Sequence, residues 1–63
     1  MNIEIVLIKK RIVSLKKERN EMFCMLVEVD YDTQTILLES IIELTNEIDK
    51  YKKKLEVLLN ENI

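Results

Sequence analysis

The sequence contains no glycine, no proline and no histidine, and each absence removes a class of function. Without glycine, neither a phosphate-cradling loop nor a dinucleotide-binding fingerprint can form, because both need backbone positions that a side chain would block. Without histidine, the usual zinc patterns and the Ser-His-Asp and Cys-His catalytic arrangements are excluded. The chain therefore carries no self-contained active site of these kinds.

Cysteine occurs once, as Cys24, so no disulfide can form within the chain. It lies in the apolar run Met22–Val27, where a small buried or surface side chain is a commoner role than a reactive thiol. A single free cysteine is typical of a reducing compartment. No apolar run approaches the roughly 20 residues of a membrane span, and the N-terminus lacks the order of charges of a signal peptide. These features predict a cytoplasmic protein with no membrane contact.

A chain of 63 residues is predicted to form a single domain, residues 1–63, with a small core. Ordering the chain costs about 1.5 kcal/mol per residue, which leaves little net stability at this length. Chains of this size usually need a disulfide, a metal or a partner chain. Since the first two lack support here, we expect self-association or an external partner.

Two stretches carry apolar residues at heptad spacing, which is typical of helices that pack against another helix. We predict a helix over about residues 3–29, a turn over 30–33 and a second helix over about 34–59. Asp30, Asp32 and Thr33 favour turns and helix N-caps, and Asp32 or Thr33 is the predicted N-cap. Residues 60–63 are expected to fray. The predicted seams are Ile5, Ile8, Ile12, Leu15, Arg19, Met22, Leu26 and Val29, then Leu37, Ile41, Leu44, Ile48, Tyr51, Leu55 and Leu58.

The predicted fold is therefore all-α, an antiparallel two-helix hairpin that dimerises into a four-helix bundle. Leu38 and Leu59 widen the second seam, as expected for a helix with two neighbours. Charge is segregated: residues 20–49 hold eight acids and no base, and all ten bases lie outside that segment. Two hairpins with turns at opposite ends would place acidic halves against basic halves. Alternatively, the charges are simply solvated helix faces.

Arg19 interrupts the first seam, and two interpretations remain open. Its aliphatic stem can lie along the core while the guanidinium reaches solvent. Alternatively, it pairs with a carboxylate of the second helix and defines the register. The predicted register places Arg19 near Ile48 and Asp49.

The segment Leu44–Lys50 reads Leu-Thr-Asn-Glu-Ile-Asp-Lys. It resembles the Leu-Ser-Gln-Glu-Leu-Asp-Lys motif of the small stage-zero sporulation phosphatases, and Arg19–Phe23 resembles the first helix of that family. The resemblance implies a regulatory helical hairpin that binds a phosphorylated response regulator and promotes loss of its aspartyl-phosphate. It implies no cofactor of the hairpin's own, and any divalent metal would come from the partner's phosphorylation site.

A candidate site follows from helical spacing. Ile42, Asn46, Asp49 and Lys53 fall at i, i+4, i+7 and i+11, and therefore form one ridge beside the second seam. The amide of Asn46 and the carboxylate of Asp49 could together orient a water for attack on a partner's phosphoryl group; they are the predicted catalytic residues. Ile42, Thr45 and Lys53 are the predicted partner contacts. The alternative is an ordinary solvated helix face.

A second resemblance concerns architecture. Length and the turn region resemble the Rop copy-number protein, a homodimer of helical hairpins that binds paired RNA loops. The RNA-contacting positions of that family would fall on Ile3, Lys10, Ser14, Glu18 and Met25, of which one is basic. We therefore do not expect a nucleic-acid partner. Three classes stay open: a phosphatase acting on a response regulator, a non-catalytic dimerisation or protein-interaction module, and an RNA-binding bundle.

Overall fold

The chain folds into two helices packed against each other as a hairpin, which confirms the predicted fold class. A computed structural model describes residues 2–61. Helix α1 spans Ile3–Met25 and helix α2 spans Tyr31–Glu61, joined by a five-residue connection, residues 26–30. The hairpin is elongated, 49 × 15 × 11 Å along its principal axes.

Helix α1 begins at a cap that the sequence analysis did not identify. The side-chain oxygen of Asn2 accepts a hydrogen bond from the backbone N–H of Glu4 at 2.9 Å. Asparagine is among the residues that best satisfy the free N–H groups of a first turn. Glu4 adds a negative charge there, which complements the positive end of the helix dipole.

The predicted end of the first helix, at about Val29, is wrong by four residues, since α1 ends at Met25. The N–H of Leu26 donates to the Phe23 carbonyl at 3.3 Å, and the N–H of Glu28 donates to the Met25 carbonyl at 3.1 Å. Such i→i−3 bonds tighten a last turn and end a helix. Heptad spacing continued past this point because Leu26 and Val29 remain half-buried in the connection. Burial periodicity alone therefore overestimated the helix.

Helix α2 begins three residues before the predicted position, and its N-cap is Asp30 rather than Asp32 or Thr33. The Asp30 carboxylate accepts the backbone N–H of Thr33 at 3.0 Å, and its carbonyl accepts the N–H of Gln34 at 2.9 Å. The pKa of Asp30 is lowered below 3.8, mainly by a hydrogen bond from the Thr33 hydroxyl and to a smaller extent by one from the Thr33 backbone N–H. Asp30 is the cap because its oxygen reaches the N–H three residues ahead, as an N-cap residue does.

The far end of α2 also differs from the prediction. The helix continues through Glu61, so Asn60 and Glu61, which we expected to fray, are helical. Positions 62 and 63, also expected to fray, lie outside the described residues.

The connection is tied to α2 by one side chain. Gln34 Nε2 donates to the Leu26 carbonyl at 2.8 Å, so α2 satisfies a carbonyl left free at the end of α1. This contact fixes the start of the returning helix close to the end of the first helix.

The core lies along the predicted seams. All fifteen predicted seam positions are buried or half-buried. Leu15 and Ile48 are the most deeply buried, at 1% exposure each. The buried cluster and the apolar residues packed on it are Ile8, Ile12, Leu15, Ile48, Leu44, Tyr51, Leu55 and Leu58. Leu38 and Leu59, predicted to widen the seam, are exposed in the hairpin, so the described chain covers them only in part.

The register is shifted toward the turn compared with the prediction. Arg19 Nη1 donates to Thr45 Oγ1 at 3.3 Å, one helical turn before Ile48 and Asp49. The shift follows from the earlier start of α2, because moving the tip of a hairpin toward the N-terminus moves every cross-helix partner with it.

Candidate functional site

The predicted ridge is formed by α2, which runs unbroken past all of its residues. Ile42, Asn46, Asp49 and Lys53 are all exposed. Ile42 exposes 60% of its surface although it is a large aliphatic residue. A straight helix therefore presents one apolar side chain, an amide, a carboxylate and an ammonium group in a row to solvent.

The two predicted catalytic side chains have no internal partner. Across residues 2–61, neither Asn46 nor Asp49 forms a side-chain hydrogen bond or an ion pair. Lying three apart on a helix, they project from neighbouring positions of the same face. Their polar atoms are therefore free to bind an outside group or to orient a water molecule.

Thr45, a predicted partner contact, is placed differently from the other four. It is half-buried, and its hydroxyl donates to the Ile41 carbonyl at 2.8 Å while accepting the hydrogen bond from Arg19. Its oxygen is thus engaged within the hairpin. The structure brings Ile42, Asn46, Asp49 and Lys53 together on the outer surface and leaves Thr45 at the junction of the helices.

The contacts of Arg19 match neither of the two interpretations completely. Its partner is the Thr45 hydroxyl rather than a carboxylate, and its Nε is buried without a hydrogen-bond partner in the described chain. A buried donor without a partner costs free energy. This contact was not predicted from the sequence. Its signal was a polar residue in one seam, Arg19, together with a polar residue beside the facing seam, Thr45.

Among the described residues, two ion pairs join the helices on the side of the hairpin opposite to the Arg19–Thr45 contact. Arg11 Nη2 is 3.8 Å from Glu47 Oε1, and Lys54 Nζ is 3.4 Å from Glu4 Oε1. Thr45 and Glu47 are two residues apart and thus about 200° apart around the helix. The Arg19–Thr45 contact and the Arg11–Glu47 pair therefore mark the two opposite sides of the helix junction.

An open concavity of about 560 Å³ lies beside the ridge on α2. Asn46 belongs to both, and the other lining residues were not predicted as site residues. They are Glu43, Glu47, Lys50, Tyr51 and Lys54. Both signs of charge line this surface, so it offers hydrogen-bonding groups to a polar partner without selecting strongly for either sign.

No group of three or more His, Cys, Asp or Glu side chains among residues 2–61 is arranged to hold a metal ion. In the same part of the chain, neither helix combines the length and the apolar composition that crossing a membrane requires. Comparisons with protein-family models, curated proteins and solved structures found no match to this chain.

Proposed function

We propose that this chain is a small regulatory hairpin that acts by binding another protein through the ridge of α2. The observation that carries the proposal is the exposure of Ile42, 60%, one turn before the free polar side chain of Asn46 on a rigid helix. Exposed apolar patches rimmed by polar groups are typical of protein contact sites, and Ile42 adjoins the exposed Leu38 one turn earlier on α2. Helices present such sites without a further ordering cost.

The partner class in this proposal is a response regulator phosphorylated on aspartate. The similarity of Leu44–Lys50 to the phosphatase motif supports it, together with the unengaged amide of Asn46 and carboxylate of Asp49. Phosphoryl transfer depends on positioning and electrostatics more than on covalent chemistry. Asn46 and Asp49 would hold a water in line with the phosphorus, and any metal would be the partner's own.

The test is the loss of label from response regulators phosphorylated with radiolabelled acetyl phosphate. The hairpin should accelerate the loss, and Asp49→Ala should slow the accelerated rate by roughly 100-fold, the usual contribution of a positioned proton-accepting group. Glu43→Ala is the matched control, because it removes an exposed carboxylate of the neighbouring concavity. Acceleration that survives in Asp49→Ala would rule out the catalytic role of the ridge.

A second candidate is a non-catalytic interaction or dimerisation module. It is favoured by a separate observation: among residues 2–61, twelve large apolar residues are exposed, whereas five are buried. Under this alternative the hairpin binds a regulator without changing its rate of dephosphorylation, and Ile42→Glu abolishes binding. Measuring binding and label loss on the same samples separates the two candidates.

A further inference from the structure

We infer that a second copy of this chain covers one side of the hairpin, with the two turns at opposite ends. The side in question, called here the apolar face, carries five exposed large apolar residues. They are Val13, Phe23, Leu38, Ile42 and Leu59. The inference rests on where these residues lie, on the excess surface of the hairpin and on its charge distribution.

The apolar face lies on the side marked by the Arg19–Thr45 contact. In α1, Val13 and Phe23 lie in a row of positions 13, 16, 20 and 23, which runs beside Arg19. In α2, Leu38, Ile42 and Leu59 lie in the row of positions 38, 42, 45, 49, 52, 56 and 59. The other members of the two rows are polar: Lys16, Asn20, Thr45, Asp49, Lys52 and Glu56. Such rows run beside the core seam along one side of each helix, so the two rows form one continuous surface of interspersed apolar and polar residues.

The opposite side is a weaker docking surface. It carries the two ion pairs that join α1 to α2. A second copy on that side would desolvate these pairs, and desolvation offsets much of the gain from new contacts. The apolar face carries no such pair among the described residues.

The surface area of the hairpin matches what a second copy would remove. A compact monomer of 7.5 kDa exposes about 4,200 Å², whereas this chain exposes 5058 Å². The excess is roughly 850 Å², close to the area that each partner buries in a standard interface. The broad side of the hairpin, 49 × 15 Å, is large enough to provide it.

The charge distribution along the chain favours a second copy as the partner that covers the apolar face, and it determines the direction in which that copy lies. Residues 20–49, the half that contains the turn, hold eight acids and no base, and the rest of the chain holds ten bases and four acids. An identical chain supplies the complementary surface only when its open end lies over the turn half. That arrangement also places Phe23 and Leu38, near one turn, over the part of the partner copy that contains Leu59.

Self-association would also affect the ridge, a step that rests on the proposed function. Ile42 and Asp49 belong both to the surface that the second copy covers and to the ridge. A second copy and a partner protein would therefore exclude each other at these residues, and self-association would regulate partner binding.

A matched pair of substitutions tests the docking surface. Phe23 and Met25 are equally exposed, 48% and 49%, both near the end of α1, but Met25 lies off the apolar face. Light scattering across micromolar concentrations should give twice 7.5 kDa for the natural chain and for Met25→Lys, and the monomer mass for Phe23→Lys. A monomeric natural chain, or equal dissociation of both variants, would overturn the inference.

Two further measurements keep the test decisive. If Phe23→Lys unfolds as it dissociates, the melting temperature of the natural chain must rise with concentration, as it does for a dimer that unfolds to monomers. Spin labels on the exposed Cys24 should lie about 30 Å apart, since at 1.5 Å per residue each sits roughly 15 Å from the middle of α1. Adjacent labels would show the turns together and overturn the orientation. A dimer that shows no partner binding in any variant would reject the proposed function alone.

Discussion

Arg19 of the first seam donates a hydrogen bond to Thr45, beside the second seam, with Nη1 and Oγ1 3.3 Å apart. The Thr45 hydroxyl in turn donates a hydrogen bond to the Ile41 carbonyl of its own helix. The contact satisfies one nitrogen of the guanidinium and leaves the buried Nε without a partner. This polar contact fixes which turn of α2 lies beside which turn of α1, at a cost in stability.

Replacing Arg19 by methionine should raise the stability of the hairpin. Methionine fills the same space with flexible apolar atoms, and the unpartnered Nε, which costs about 1–3 kcal/mol when fully buried, disappears. Urea unfolding at matched protein concentration measures the change. Thr45→Ala is the contrasting variant, since it removes the acceptor and should lower stability by about 1 kcal/mol. A marked loss of stability in Arg19→Met would show that the guanidinium is stabilising.

Asp30→Ala should lower the melting temperature more than Asp32→Ala does. Asp30 caps α2 through the Thr33 N–H, whereas Asp32 lies within the first turn and contributes only through the helix dipole. Circular dichroism during thermal unfolding compares the two variants, each of which loses one exposed acid next to the turn. Equal effects would show that the cap geometry adds nothing to the charge.

The cap also predicts a pH dependence. The pKa of Asp30 is lowered in the folded state, first by the Thr33 hydroxyl and then by its backbone N–H. A carboxyl group with a lowered folded pKa contributes stability that is present above its unfolded pKa, 3.8, and is lost as the pH falls through the folded value. Asp30→Asn keeps a good cap but does not titrate. The difference in stability between the two chains should therefore shrink on acidification below pH 3.8, as followed by urea unfolding.

Ile48→Ala should destabilise the hairpin strongly, while Ile36→Ala should not. Ile48 exposes 1% of its surface and Ile36 exposes 63%, although both are isoleucines of α2. Truncation of a buried isoleucine costs about 2–5 kcal/mol, whereas surface changes usually stay within about 0.5 kcal/mol. Denaturant midpoints measured at one protein concentration give both values. Similar midpoints would mean that the helical phase of α2 is wrong.

The sequence predicted most of the hairpin and the exposure of the ridge, but not the turn. Periodicity identified every seam position, because burial repeats with the helical period wherever one helix packs on another. It placed the end of α1 at about Val29, since Leu26 and Val29 keep the period while lying outside the helix. Helix ends depend on individual hydrogen bonds, here those of Leu26 and Asp30, and several nearby residues have the chemistry to form them.

The candidate site shows the same division. Spacing alone placed Ile42, Asn46, Asp49 and Lys53 on one exposed ridge, because i, i+4, i+7 and i+11 share a face of any regular helix. It could not place Thr45, which faces the junction between the helices. Whether a flanking residue points outward or inward depends on where the neighbouring helix lies, and on which of its side chains is long enough to reach it.

The sequence by itself determined the helical nature of the chain, the two seams, the division into acidic and basic halves, and the absence of glycine- and histidine-based chemistry. These properties depend on local propensity and on composition, and no neighbour changes them. Only the tertiary structure decided that Asp30 is the cap, that Arg19 meets Thr45 and that Leu38 and Leu59 stay exposed. Each of these depends on the relative position of two helices. That position follows from packing and from a few specific hydrogen bonds, which a one-dimensional pattern does not contain.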